Sequence, residues 1–161
     1  MLAKFATYSK EYFEEIERRR YDPVVGEPEI FSFAQFTRYS GKKILEVGVG
    51  AGTDFIQWVR AGAVAYGIDL TEKAIEHVRR RLEVYNLHAA DIRVGDAENL
   101  PYEDNTFDLV YSFGVIHHSP DTERALSEII TLQRYITCLL QCSQFPFSMR
   151  EISPMVLHLY P

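Results

Sequence analysis

The sequence predicts an α/β fold built on a doubly wound parallel sheet, and three observations carry that expectation. Strand and helix signals alternate from Lys42 onward. A glycine cluster follows the first strand signal, at the turn into the first helix of the series. The 161 residues, 47% hydrophobic and 13% aromatic, amount to one domain with enough apolar material for a buried core. Strands joined through helices imply parallel βαβ units with right-handed crossovers.

Lys43 to Val47 is a short apolar run that ends in glycines, and Thr53 to Ala61 places Phe55, Ile56 and Val59 on one helical face. Val64 to Leu70 reads as a second strand. Thr71 to Tyr85 reads as a second helix begun by the Thr71 cap. Asp91 to Val94 and Phe107 to Phe113 are the third and fourth strands, and Ser119, Pro120 and Asp121 open a helix that runs to about Leu132. Ahead of this series, Ser9 to Tyr21 has apolar positions at helical spacing. Its Arg18 to Arg20 run suits either a solvated helix face or an anionic ligand. Pro23, Gly26 and Pro28 break the pattern, and EIFSFAQFTRY follows as a short aromatic helix or docking segment.

Seventeen basic against 23 acidic residues give a net charge of -6, which repels phosphate backbones and argues against a nucleic-acid partner. No apolar stretch approaches the roughly eighteen residues of a membrane span. The first residues mix acids and bases and lack the apolar stretch of a secretory signal, so the expected location is cytoplasmic. Cys138 and Cys142 fit neither a disulfide framework nor a metal or redox motif, and they are expected to be reduced thiols with no metal bound.

The chemistry concentrates in Glu46-Val-Gly48-Val-Gly50-Ala-Gly52, where glycines let the backbone turn sharply and approach a ligand. Asp69 closes the second strand, 21 residues after Gly48, where an acid can accept hydrogen bonds from both ribose hydroxyls of an adenosine. NAD and S-adenosylmethionine both present adenosine to such a crevice. The GxGxG spacing differs from the dinucleotide GxGxxG. Glu46 would repel a pyrophosphate, yet attract the ammonium at the methionine end of S-adenosylmethionine.

The stretches ILEVGVGAGTD, GIDLTEKAIE, GDAENLPYEDNTFDLVYSFGVIHH and RALSEII resemble the class I S-adenosylmethionine-dependent methyltransferases, in particular the ubiquinone and menaquinone biosynthesis branch. The resemblance runs from about Gly41 to Ile130 and implies a Rossmann-like, three-layer αβα sandwich. It implies that Glu46, Gly48, Gly50 and Gly52 surround the methionine part of the cofactor, that Asp69 binds the ribose and that Leu70 contacts the adenine. It places Asp96 and Ala97 at the adenine amino edge, and Phe113 and Gly114 near the reactive methyl. His117 and His118 follow at the carboxyl end of the fourth strand, where they either orient or deprotonate an acceptor or simply shape the loop.

After Ile130 the sequence departs from that family. Residues 131–161 contain only three charged side chains and no glycine, but both cysteines. The expected organisation is an N-terminal helical segment over 1–40 on the acceptor side, a cofactor-binding domain over 41–130 and an atypical tail over 131–161. The tail is expected to be a shifted reading frame, an incomplete gene product or a natural variant. Strand four is then expected to be a bare edge that favours self-association. The expected function is methyl transfer to a small-molecule acceptor; Tyr8, Tyr12, Phe13, Tyr21 and Phe113 are candidates for lining its pocket or for the core. The alternatives are a cofactor-binding fragment without turnover and an NAD-dependent oxidoreductase.

Overall fold

A computed structural model describes residues 4–133 together with the backbone of two strands, Thr137–Gln141 and Val156–Leu157. Six parallel strands form one sheet in the order β3-β2-β1-β4-β5-β6. They are β1 (Lys43–Val47), β2 (Val64–Asp69), β3 (Asp91–Val94), β4 (Leu109–Phe113), β5 (Thr137–Gln141) and β6 (Val156–Leu157). The helices are α1 (Lys10–Arg20), α2 (Ile30–Ala34), α3 (Phe55–Arg60), α4 (Glu72–Tyr85) and α5 (Thr122–Thr131).

The two faces of the sheet follow from the alternation of side chains along its strands. Ile44 pairs with Ala65 and Leu109, and these residues join Tyr111 in a core shared with α2, α3 and α4. The intervening Leu45, Val47 and Val110 face the other way, into a core closed by Ala125 and Ile129 of α5. Helices therefore cover both faces of the central strands, giving the Rossmann-like three-layer sandwich that the alternating pattern implies. Trp58 of α3 is fully buried between Phe36, Tyr39 and Tyr111.

Local chemistry sets the helix starts. Side chains of Ser9, Thr71 and Asp121 accept hydrogen bonds from the backbone N–H groups of Tyr12, Ala74 and Arg124, at 3.2, 3.2 and 3.0 Å. The aromatic segment after Pro28 forms α2 and a 3-10 turn, Phe36–Tyr39. Two boundaries differ from the sequence reading. α3 starts at Phe55 rather than Thr53, because the glycine loop continues through Thr53 and Asp54. β4 starts at Leu109, Phe107 being held instead in an isolated bridge to Gln133.

The expectation of a bare edge at strand four is corrected. β5 pairs with β4 in parallel register from Val110 opposite Cys138 to Phe113 opposite Gln141, so the backbone groups of β4 have partners on both sides. The sheet ends at β3 and β6, and the exposed-edge basis for a homo-oligomer falls with the bare strand. Within 131–161, seven residues, TCLLQ of β5 and Val156–Leu157 of β6, thus enter the sheet. The reading of the rest of that tail as foreign or variant sequence, and Cys142, lie outside the described residues.

Because the Asp121 side chain caps α5, its loss should be felt as stability. Asp121→Ala should lower the unfolding free energy by about 1 kcal/mol, read from urea denaturation.

Candidate active site

The site begins where β1 delivers Glu46 to the carboxyl rim of the sheet and the chain turns over the end of β2. Gly48 and Val49 donate backbone hydrogen bonds to Ile68 O at 2.8 and 3.2 Å. Gly48 has φ +84°, and a Cβ there would lie 2.3 Å from the Val115 side chain, so only glycine lets the loop pass under the β4 turn. Gly50 has φ +50° and nothing within 4 Å of a Cβ position, which leaves its face open. Gly52 packs on Val78 of α4, while Gly114, like Gly50, is open.

The loop borders a cavity of about 560 Å³. Glu46, Gly48, Gly50, Thr53 and Asp54 form one wall. Ile16 and Arg20 of α1, Val25 and Glu27 of the following turn, Phe113 at the end of β4 and Val115 just beyond it also line the cavity.

Two carboxylates in this cavity are treated very differently. Asp54 accepts from Arg20 Nη2 at 2.8 Å, from the Tyr21 hydroxyl at 2.9 Å and from the Tyr111 hydroxyl at 3.0 Å. Burial and the Asp54 charge both push the Tyr21 and Tyr111 phenols up, so they stay protonated and donate. Burial works against the charge on Arg20, but Asp54 and Glu27 outweigh it and raise its pKa. Its guanidinium also pairs with Glu27 and lies 4.8 Å over the Phe113 ring.

Glu46, only 3% exposed, has no partner for its Oε2. Burial drives its carboxyl well above the ordinary range, and the Asp54 charge drives it further. The Trp58 indole and Arg20 pull the other way, although Trp58 Nε1 makes no hydrogen bond of normal geometry. A cation brought to Glu46 would meet an acceptor with nothing else to bind.

The remaining expected residues lie along the carboxyl ends of β2 and β3 or after β4. Asp69 Oδ2 accepts from Gly50 N at 2.9 Å, and its Oδ1 accepts from Thr71 N and Oγ1 at 3.0 Å, so it ties the glycine loop to the start of α4. Leu70 beside it is 71% exposed, an apolar surface at the rim. Asp96 accepts from Glu98 N at 2.9 Å within the turn after β3, and Ala97 packs against the α5-side core. His117 and His118 sit in a 3-10 turn with rings 3.9 Å apart, outside the cavity lining. Glu98 braces that turn by accepting from Ser119 Oγ and Asp121 N at 2.6 and 2.8 Å.

Of the candidate aromatic residues, Phe113 lines the cavity and Tyr21 holds Asp54 behind it. Tyr8, Tyr12 and Phe13 instead pack around His77 of α4. Sequence reasoning missed Asp54 and Tyr111. It held Arg20 only as part of an arginine run, of which Arg18 and Arg19 pair with Glu15 on the helix surface.

Over residues 45–134 the sequence matches the family described as methyltransferase domain. The chain belongs to that family. It is 37% identical over 103 residues to a phthiotriol/phenolphthiotriol dimycocerosates methyltransferase of Mycobacterium ulcerans, covering 63% of this chain and 37% of that one. It is 33% identical over 95 residues to a phosphatidylethanolamine N-methyltransferase of Cereibacter sphaeroides, covering 58% and 46%. Among solved structures it resembles an arsenic(III) S-adenosylmethionine methyltransferase of Chlamydomonas reinhardtii, with 27% identity, a TM-score of 0.56 and coverage of 62% and 37%. The match thus spans less than half the length of these relatives.

S-adenosylmethionine is the cofactor that membership implies, and the residues present fit it. The unpartnered Oε2 of Glu46 suits its ammonium, and the open face of Gly50 leaves room beside the loop. The match favours the methyl donor over a nicotinamide dinucleotide as the cofactor. Among the described residues no helix is long and apolar enough to cross a membrane, and no cluster of His, Cys, Asp or Glu could hold a metal ion.

The raised carboxyl of Glu46 has a sign in stability. A group whose folded pKa exceeds its unfolded value favours the fold at low pH, and that contribution is lost as pH rises through the folded value. Glu46→Gln, which does not titrate, should melt like the parent at acidic pH and several degrees higher at neutral pH, measured by calorimetry across pH.

Proposed function

We propose that the protein transfers a methyl group from S-adenosylmethionine to a small-molecule acceptor with an apolar body. The observation that carries this reading is the unpartnered Glu46 carboxyl, set at the head of a glycine loop that borders a cavity lined in part by Ile16, Val25, Phe113 and Val115. When bound, the cofactor supplies an electrophilic sulfonium methyl. Glu46 holds its ammonium, Asp69 its ribose hydroxyls, Leu70 the adenine face, and Asp96 with Ala97 the adenine edge. The Gly48, Gly50 and Gly52 backbone follows its methionine part. Arg20, fixed by Asp54, offers a cation to its carboxylate.

Phe113 and Gly114 lie where β4 ends, beside the reactive end of that arrangement. Ile16, Val25, Phe113 and Val115 provide the apolar surface against which an acceptor is held in line with the methyl, which is the principal demand of such a displacement. We assign to His117 and His118 the shaping of the turn that carries Val115, since they stand outside the cavity lining. The names of the lipid-methylating relatives, and the resemblance to the quinone branch, support an apolar acceptor class.

The test is calorimetry with S-adenosylhomocysteine on the full chain and on Asp69→Ala, with NADH as control, followed by transfer of labelled methyl to candidate lipid and quinol acceptors. Roughly micromolar binding that falls tenfold or more in Asp69→Ala is expected, the loss of charge-assisted hydrogen bonds to the ribose. No binding by the folded chain, or a preference for NADH, would overturn the cofactor reading. Binding without transfer to any acceptor would leave a cofactor-binding module in its place.

A further inference from the structure

Arg81 of α4 is fully buried and lies outside the cavity, yet its guanidinium reaches the underside of the cofactor loop. Its Nη1 donates to Ala51 O and to Thr53 Oγ1, each at 3.2 Å. Its Nη2 donates to Glu17 Oε2 at 2.9 Å and to Phe13 O at 3.4 Å, both on α1. One turn earlier on the same helix face, His77 Nδ1 lies 3.2 Å from the same Ala51 carbonyl. A carbonyl only accepts, so Nδ1 carries the proton, and Nε2 then accepts from the Tyr12 hydroxyl at 3.3 Å.

We propose that Arg81, assisted by His77, is a positioning residue for the cofactor loop: it fixes the Ala51 carbonyl from below and fastens α1, the acceptor-side wall, to the same point. The proposal rests on the cofactor reading above.

Three glycines with positive φ between Gly48 and Gly52 give this loop many conformations when nothing holds it. Two donors on one carbonyl fix the orientation of the Ala51–Gly52 peptide, and Thr53 Oγ1 fixes the exit into α3. A side chain buried only to fill space would not converge with a second one on a single loop oxygen. A buried guanidinium is stable only with its charge compensated, and Glu17 provides that. Glu17 also accepts from Gln57 Nε2 at 2.9 Å and Arg60 Nη1 at 2.6 Å, so α1, α3 and α4 meet at this carboxylate. Because Arg20 follows three residues later on α1, the loop and the part of α1 that lines the cavity are held as one unit.

The test combines residue-resolved amide hydrogen exchange of the ligand-free chain with S-adenosylhomocysteine calorimetry on the parent, Arg81→Met, Arg81→Lys and His77→Phe. Arg81→Met should speed exchange in Gly48 to Thr53 while β1 and β4 keep their protection, and should weaken binding roughly tenfold or more. Arg81→Lys should recover part of both effects, and His77→Phe, which keeps ring packing against Tyr8, Tyr12 and Phe13, should show a smaller loss confined to the loop. Unchanged loop exchange and affinity in a folded Arg81→Met overturns the proposal, as does faster exchange spread evenly over the whole chain. If Arg81→Met does not fold, His77→Phe decides, and loop protection equal to the parent's refutes the anchor. If the parent binds no S-adenosylhomocysteine, the cofactor reading fails, while the exchange data still judge the anchor.

Discussion

Two carboxylates and one guanidinium share the nearly dry space behind the glycine loop, and the unequal way they pair organises the site. Asp54 takes Arg20 and two phenolic hydroxyls and is fully answered. Glu46 is left with a buried oxygen and no donor. A buried charge without a partner costs several kcal/mol, so burial and the nearby Asp54 charge raise the Glu46 carboxyl well above its ordinary range and leave an acceptor the fold does not use. Such a group is rarely retained for stability. It makes sense as one half of an ion pair whose cation arrives with a ligand.

The sheet supplies the geometry for that pairing. Parallel strands bring Glu46, Asp69, Asp96 and Phe113 to one carboxyl rim, the place where open α/β sheets receive ligands. The glycine loop presents Asp54 just before α3, α3 buries Trp58 against Tyr111, and α1 contributes Arg20. The cavity is therefore a seam between the N-terminal helix and the sheet, with the loop along one side. Its walls move apart only if the Arg20 to Asp54 and Arg81 to Glu17 pairs both break.

Much of this was legible from short-range signals. Ser9, Thr71 and Asp121 announce helix starts because a cap needs only three or four residues of chain. The glycine spacing and Asp69 could be read because loop conformation and strand end are also local. Asp54 was hidden because its partners are 34 residues upstream at Arg20 and 57 downstream at Tyr111, and no periodicity encodes such a meeting. The same holds for Tyr8 and Tyr12, whose helical spacing suited a pocket wall until α4 placed His77 against them. β5 was concealed by the composition of its surroundings: a five-residue strand is too short to stand out within an atypical tail.

If the Glu46 carboxyl, raised by burial, is kept for the cofactor ammonium, binding must favour its ionised form. Calorimetry of S-adenosylhomocysteine binding at about pH 6, above the ordinary glutamate range, in buffers of different ionisation enthalpy counts that proton directly. Proton release on binding is expected in the parent, and none in any residual binding by Glu46→Gln. Binding with no proton exchange in the parent, or undiminished affinity and the same proton count in Glu46→Gln, would contradict it.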